Sequence, residues 1–176
     1  LVGSEMCIRD SYYFHWADFY NEPMNDWKDV TTALLSIPMA HMLVGFYTVA
    51  DGSDGILKVM RSYQYYAASK ISDAVSKAKW ENDQQRGGYI WHTTGSGKTL
   101  TSFKTARLAS QLPYIDKVLF VVDRKDLDYQ TMKEYDRFEK GAANSNTSTT
   151  ILKRQLENPE AHIIITTIQK LSLIHI

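Results

Sequence analysis

Cysteine is almost missing from this chain of 176 residues: Cys7 stands alone, which excludes an internal disulfide framework and a cysteine-built zinc cage. Net charge is missing too. Twenty basic residues balance twenty acidic ones, so composition names no polyanionic partner, and any nucleic-acid surface must be local. The five histidines form no i, i+4 pair and have no acidic cluster nearby, so no metal site is read from them. Residues 31–50 lack Asp, Glu, Lys and Arg, and about 20 residues is the length of a transmembrane helix. Pro38 breaks that run, however, and Ser36, His41 and Gly45 dilute it. It reads as a buried helix from Val30 to about Ile37 followed by a second apolar element, with no membrane partner expected. No charged n-region with a small-residue cleavage site marks a signal peptide, and a cytoplasmic protein is expected. What remains, 44% hydrophobic and 23% charged, suits a globular chain that buries a core.

The most informative stretch is Trp91 to Thr99, WHTTGSGKT, directly after the apolar Tyr89-Ile90. A glycine-rich loop ending in Lys-Thr curls its backbone so that successive N–H groups face a phosphate chain. In that pattern Lys98 reaches the β and γ oxygens and the Thr99 hydroxyl coordinates Mg²⁺. The following helix, expected from Lys98 to Gln111, turns the positive end of its dipole toward the same anion. The full spacing asks for glycine where His92 stands. Only Thr94, Gly95, Ser96, Gly97, Lys98 and Thr99 keep it.

From Gly88 onward the rhythm is strand, helix, strand, helix. Gly88–His92, Lys117–Val122 and His162–Thr167 read as strands, the last two as continuous β-branched runs buried on both faces. Helices are expected at Asp126–Glu139 and Thr150–Leu156, with a mobile polar loop at Lys140–Thr149. Strands joined by helices of this length predict a parallel sheet with right-handed crossovers. Upstream, Tyr65 to Trp80 reads as a helix, followed by a polar linker, while residues 12–60 are aromatic-rich and lack a steady period.

Gln64 lies some thirty residues before Lys98. A glutamine amide can pair with both the N6 donor and the N7 acceptor of adenine, so it would select ATP. Asp123 closes a hydrophobic run, the pattern of a strand whose carboxylate holds Mg²⁺ through water. That reading leads to a rival function: a P-loop nucleotide kinase or GTPase-like switch with Asp123 as the Mg-site carboxylate. The neighbours Arg124 and Lys125 suit a phosphodiester backbone better. Thr166 and Thr167 close the third strand at its carboxyl end, where ligands of open parallel sheets lie. A threonine N-cap for the next helix explains the same two residues.

With Gln64, the phosphate loop, VVDRKDL (121–127) and ITTIQK (165–170) together, the chain resembles the restriction (R, motor) subunit of type I restriction–modification enzymes, a superfamily 2 helicase-like DNA translocase. The resemblance covers roughly Tyr12 to Leu171, including FHWAD at Phe14 to Asp18. It implies a partial RecA-like P-loop domain with a parallel sheet, the first motor lobe, at 58–171. A mainly helical linker from the nuclease domain would occupy 12–57. It implies ATP and Mg²⁺ as cofactors, with Lys98 catalytic and Gln64 and Thr94 to Thr99 binding the nucleotide. It further implies DNA contacts at Asp123, Arg124, Thr166 and Thr167. Double-stranded DNA and the modification and specificity subunits would be the partners.

The departures bear on activity. These residues include no Asp-Glu-x-His box, no second lobe with its arginine finger and no nuclease carboxylates, so the piece alone is expected to bind ATP weakly and not to hydrolyse it. Residues 1–11 and 172–176 read as non-native peptide, resembling translated adaptor sequence.

Overall fold

The computed structural model describes residues 15–77, 87–123, 125–141 and 143–174, with the side chains of 125–128 left out. The segment 1–11, Phe14, most of the linker 80–87 and Arg124 lie outside the described residues.

Two helices open the described chain, α1 (Trp27–Ala33) and α2 (Ile37–Phe46). Asp26 caps α1 by accepting the Lys28 N–H at 2.8 Å. The run is broken just ahead of Pro38, as expected, and Pro38 sits in the first turn of α2, where its missing N–H costs nothing. No residue of α1 is buried and α2 buries only Leu43, so the expected buried helix at 30–37 is corrected to two partly exposed ones. The pair is bent by 63°, and no single helix among the described residues is long and apolar enough to cross a membrane.

An antiparallel hairpin follows, β1 (Thr48–Asp51) against β2 (Ile56–Val59), with Thr48 opposite Val59. Its turn is fastened by Asp51, whose carboxylate accepts from Ser53 and Lys58 and from Arg137 Nε at 2.9 Å. Burial alone would push the Asp51 carboxyl up; the Lys58, Ser53 and Arg137 donors outweigh it and hold the group well below the usual carboxylate range. Arg137 also reaches Asp54 at 3.1 Å, and its carbonyl accepts from the Gly52 N–H at 2.8 Å.

After helix α3 (Ser62–Ser76) and the loop segment, α4 (Lys98–Ser110), β3 (Val118–Val122), α5 (Lys125–Phe138), α6 (Thr149–Glu157), β4 (Ile163–Thr167) and α7 (Ile168–Ser172) complete the order. β3 and β4 pair in parallel, Val118 with Ile163 through Val122 with Thr167. The fold is mixed α/β with a small parallel sheet.

The strand expected at Gly88–His92 is not formed: residues 87–93 carry no strand pairing. An apolar run becomes a strand only where another backbone edge accepts it. Residues 87–93 pair with no such edge, although the outer edge of β3 carries no strand among the described residues, and Tyr89 and Trp91 stay 92% and 88% exposed. The expectation that β3 is buried on both faces is also corrected. Val122 is buried and Val118 and Phe120 are half-buried, but Leu119 and Val121 face outward. β4 does have both faces covered. Ile163 and Ile165 pack with Phe103, Tyr135 and Val49, while Ile164 packs with Leu152, Ala161 and Ile174. Burying each such side chain contributes at most about 1.5–3 kcal/mol.

Tyr135 is fully buried and donates its hydroxyl to Ser102 Oγ at 3.0 Å, with its ring edge-on to Phe103 at 5.1 Å. Arg107 forks onto Glu139 with two bonds of 2.7 Å and ties α4 to the end of α5. These contacts fix α4, and therefore the loop at its start, to the sheet.

Candidate functional site

The loop before α4 takes its shape from glycine. Gly95 and Gly97 have φ of 79° and 77°, the left-handed region that side-chain-bearing residues avoid. Gly97 is the N-cap of α4 and has no side chain to cap it. The first-turn N–H groups of a helix lack carbonyl partners within it, so those of Lys98 to Leu100 are aligned for an anion. A second constraint acts at Gly97: a Cβ there would collide with the amide nitrogen of Gln64.

Gln64 is therefore against the loop. It is buried on the first turn of α3, donating from Nε2 to the Ser96 carbonyl at 3.0 Å and accepting the Arg61 N–H at Oε1 over 3.0 Å. Each amide group keeps further capacity, one N–H and one lone pair, for a ligand edge. A segment 32 residues away in sequence thus holds the loop's backbone.

His92 fills the place of the absent glycine. Ser96 Oγ donates to the Thr93 carbonyl at 2.8 Å, and His92 Nδ1 lies 2.9 Å from Ser96 Oγ. With the hydroxyl proton committed to Thr93, the ring must carry its proton on Nδ1 and donate. Burial, and then the positive charge of Lys98, depress the His92 pKa and favour the neutral ring. Tyr63 packs edge-on against the imidazole at 6.0 Å.

A cavity of about 710 Å³ opens beside the loop. Its lining includes Thr93 to Ser96 from the loop, Tyr63, Tyr66 and Lys70 from α3 with Arg61 just before it, and Phe19 from upstream. Lys98 is exposed and Thr99 half-buried at the first turn of α4. Gln64 meets the loop at the Ser96 carbonyl, and Lys98 and Thr99 follow it at the start of α4; these three residues stand next to the cavity's loop wall and are not part of its lining.

The strand ends are different. Thr166 and Thr167 are fully buried. Thr166 donates its hydroxyl to Asn146 Oδ1 at 3.1 Å, and Thr167 caps α7 by accepting the Lys170 N–H at 3.3 Å. Neither hydroxyl presents surface, and both are engaged within the fold; the capping explanation fits Thr167. Asp123 is exposed just past β3, where its carbonyl accepts from Gln169 Nε2 at 2.9 Å.

The residue that sequence reasoning missed is Asn146. It lies in the polar stretch Lys140–Thr149 that reads as a mobile loop, yet it is buried. Its amide donates to the Ile165 carbonyl at 2.9 Å, and its carbonyl accepts from Lys170 Nζ. Lone asparagines in polar stretches look alike in sequence; only the neighbouring strand edge distinguishes this one.

Comparison with known proteins adds a family to this geometry. Residues 63–175 match the SWI2/SNF2 ATPase family. A type I restriction enzyme endonuclease subunit of Staphylococcus saprophyticus is 39% identical over 165 residues, covering 94% of this chain and 17% of the relative. One from Staphylococcus aureus is 39% identical over 162 residues, covering 92% and 17%. The C-terminal part of a provisionally named type I endonuclease subunit from Mycoplasma pneumoniae is 40% identical over 163 residues, covering 89% of this chain and 78% of the relative. The chain therefore spans about a sixth of the length of the staphylococcal relatives.

Proposed function

The chain belongs to the type I restriction enzyme endonuclease subunits and carries their SWI2/SNF2 ATPase region, and from that premise we propose that it binds ATP·Mg²⁺ as part of a RecA-like motor lobe. The observation that carries this reading is the loop itself: two left-handed glycines opening into the start of α4, pinned by Gln64, beside a cavity of nucleotide size. The residues fit the group. The N–H groups from Gly95 to Thr99 and the Lys98 ammonium would hold the phosphates, the Thr99 hydroxyl would hold Mg²⁺, and the free capacity of Gln64 would meet the adenine edge. Bound ATP·Mg²⁺ supplies the phosphoanhydride whose hydrolysis drives such motors.

In the whole subunit this lobe would pull double-stranded DNA beside modification and specificity subunits, and a separate nuclease domain would cut it. Exposed Asp123, with Arg124, remains the proposed DNA-facing corner. The family gives no support to the kinase or switch alternative. The 176-residue chain alone is expected to bind ATP weakly and to lack DNA-stimulated hydrolysis, because water-orienting and arginine-finger groups are worth orders of magnitude in rate. Calorimetric titration of ATP with Mg²⁺ into the chain tests the reading. Binding is expected in the wild type and lost in Lys98→Ala; equal binding by both proteins would overturn it.

A further inference from the structure

Part of the cavity's lining comes from a part of the chain well upstream of the ATPase match. Asp18, Phe19 and Asn21 all line the cavity, more than forty residues before residue 63, where that match begins. The turn that carries them is built to hold its shape. Asp18 Oδ1 accepts the N–H groups of Tyr20 and Glu22 at 2.8 and 2.9 Å. The Asp18 N–H donates to the Glu22 carbonyl at 3.0 Å, and Asn21 takes the left-handed conformation, φ 67°, that asparagine tolerates. Ala17 bridges Pro23, and the Met24 N–H donates to the Trp16 carbonyl at 2.8 Å, closing the base of the turn. Trp16 anchors this unit in the core with Leu43, Tyr47, Met60 and Ala68.

Phe19 does no such anchoring. It is 53% exposed, although it stands in a turn whose fastening is complete without it. Its ring meets Tyr66 edge-on at 5.8 Å, and Lys70 Nζ lies 4.9 Å from its centroid. Both of those residues also line the cavity, as do Tyr63 and, from the loop side, Trp91. A cavity lined both by aromatic rings and by a phosphate loop matches a body with a flat π face and an anionic tail. We infer that the Asp18–Asn21 turn forms the base subsite of the nucleotide cavity, with Phe19 as the ring that stacks on the base. Nucleotide occupancy is thereby coupled to the segment ahead of the motor. The inference rests on the ATP reading above.

Stacking on an aromatic ring is tolerant of base identity and is removed by truncation to alanine. The test is calorimetric titration of ATP, and separately of inorganic tripolyphosphate, each with Mg²⁺, into the 176-residue chain and its variants. Phe19→Ala should weaken ATP about thirtyfold, the middle of the range for one stacked base, and leave tripolyphosphate unchanged. Phe19→Trp should restore ATP binding. ATP affinity unchanged in Phe19→Ala would overturn the inference, and so would an equal loss for tripolyphosphate, which would place the effect in the loop. Lys98→Ala should lose both ligands. If it kept both, the ATP reading itself would fall, whatever Phe19 does.

Discussion

Two places in this chain present small polar residues where an extended segment turns into a helix, and they have opposite fates. At Thr93–Thr99 the chain leaves an exposed, unpaired run, curls through two left-handed glycines and starts α4 beside a cavity. At Thr166–Thr167 the chain leaves β4 and starts α7, but every hydroxyl is used inside: one on Asn146, one on the helix cap. Threonines at a strand end do not make a ligand site by themselves. What decides is whether glycine opens the backbone and whether another segment reaches in first. Asn146 reaches in at β4; at the loop, Gln64 takes a single carbonyl and leaves the first-turn N–H groups of α4 to a ligand.

The sharpest way to break this contrast is at Lys98. Loss of its charge-assisted hydrogen bonds in Lys98→Ala should weaken ATP about 100-fold. Because Lys98 is exposed, Tm should stay within about a degree by scanning calorimetry. A Tm fall of several degrees would make Lys98 part of the fold and blur the contrast.

Gly97→Ala comes next and should affect both properties. A side chain at φ 77° costs about 1–2 kcal/mol. The added Cβ also pushes on Gln64. ATP affinity should fall about tenfold and Tm by a few degrees. Unchanged affinity would show that the glycine conformation does not shape the site.

Thr166→Val is the mirror image of Lys98→Ala. It leaves the buried Asn146 Oδ1 without its donor, which should cost about 1–3 kcal/mol in urea unfolding. ATP affinity should stay within about twofold. Weakened ATP with unchanged stability would return Thr166 to the ligand site.

The smallest effect is read from the acid side. The Asp51 carboxyl has its folded-state pKa held below the ordinary value by Lys58, Ser53 and Arg137 against the opposing effect of burial. Its contribution is therefore complete above the unfolded value of about 3.9 and is lost as pH falls through the lower folded value. Thermal melts of the wild type should drop across that window. Asp51→Asn should start lower at neutral pH and show a shallower drop; an identical acid slope would remove Asp51 from the account.

Much of this was legible in the residues. The helix after Lys98, the runs VLFVV (118–122) and IIITT (163–167), and their parallel pairing follow from periodicity and β-branched content. The hairpin at 48–59 was missed although Asp51-Gly52 and Asp54-Gly55 mark its turn, because four-residue strands are too short for alternation to show. The false strand at 88–92 has strand composition, but pairing depends on meeting another backbone edge, which no local pattern encodes. Gln64 was identifiable by its chemistry, whereas Phe19 was one aromatic among many until the turn brought it to the cavity.

Hydrogen–deuterium exchange with and without ATP·Mg²⁺ compares both places in one experiment. The account predicts that nucleotide slows exchange at residues 93–101 and at the turn 18–22, and leaves 144–147 and 163–170 as they were. Slowed exchange at 163–170 with none at 93–101 would contradict it.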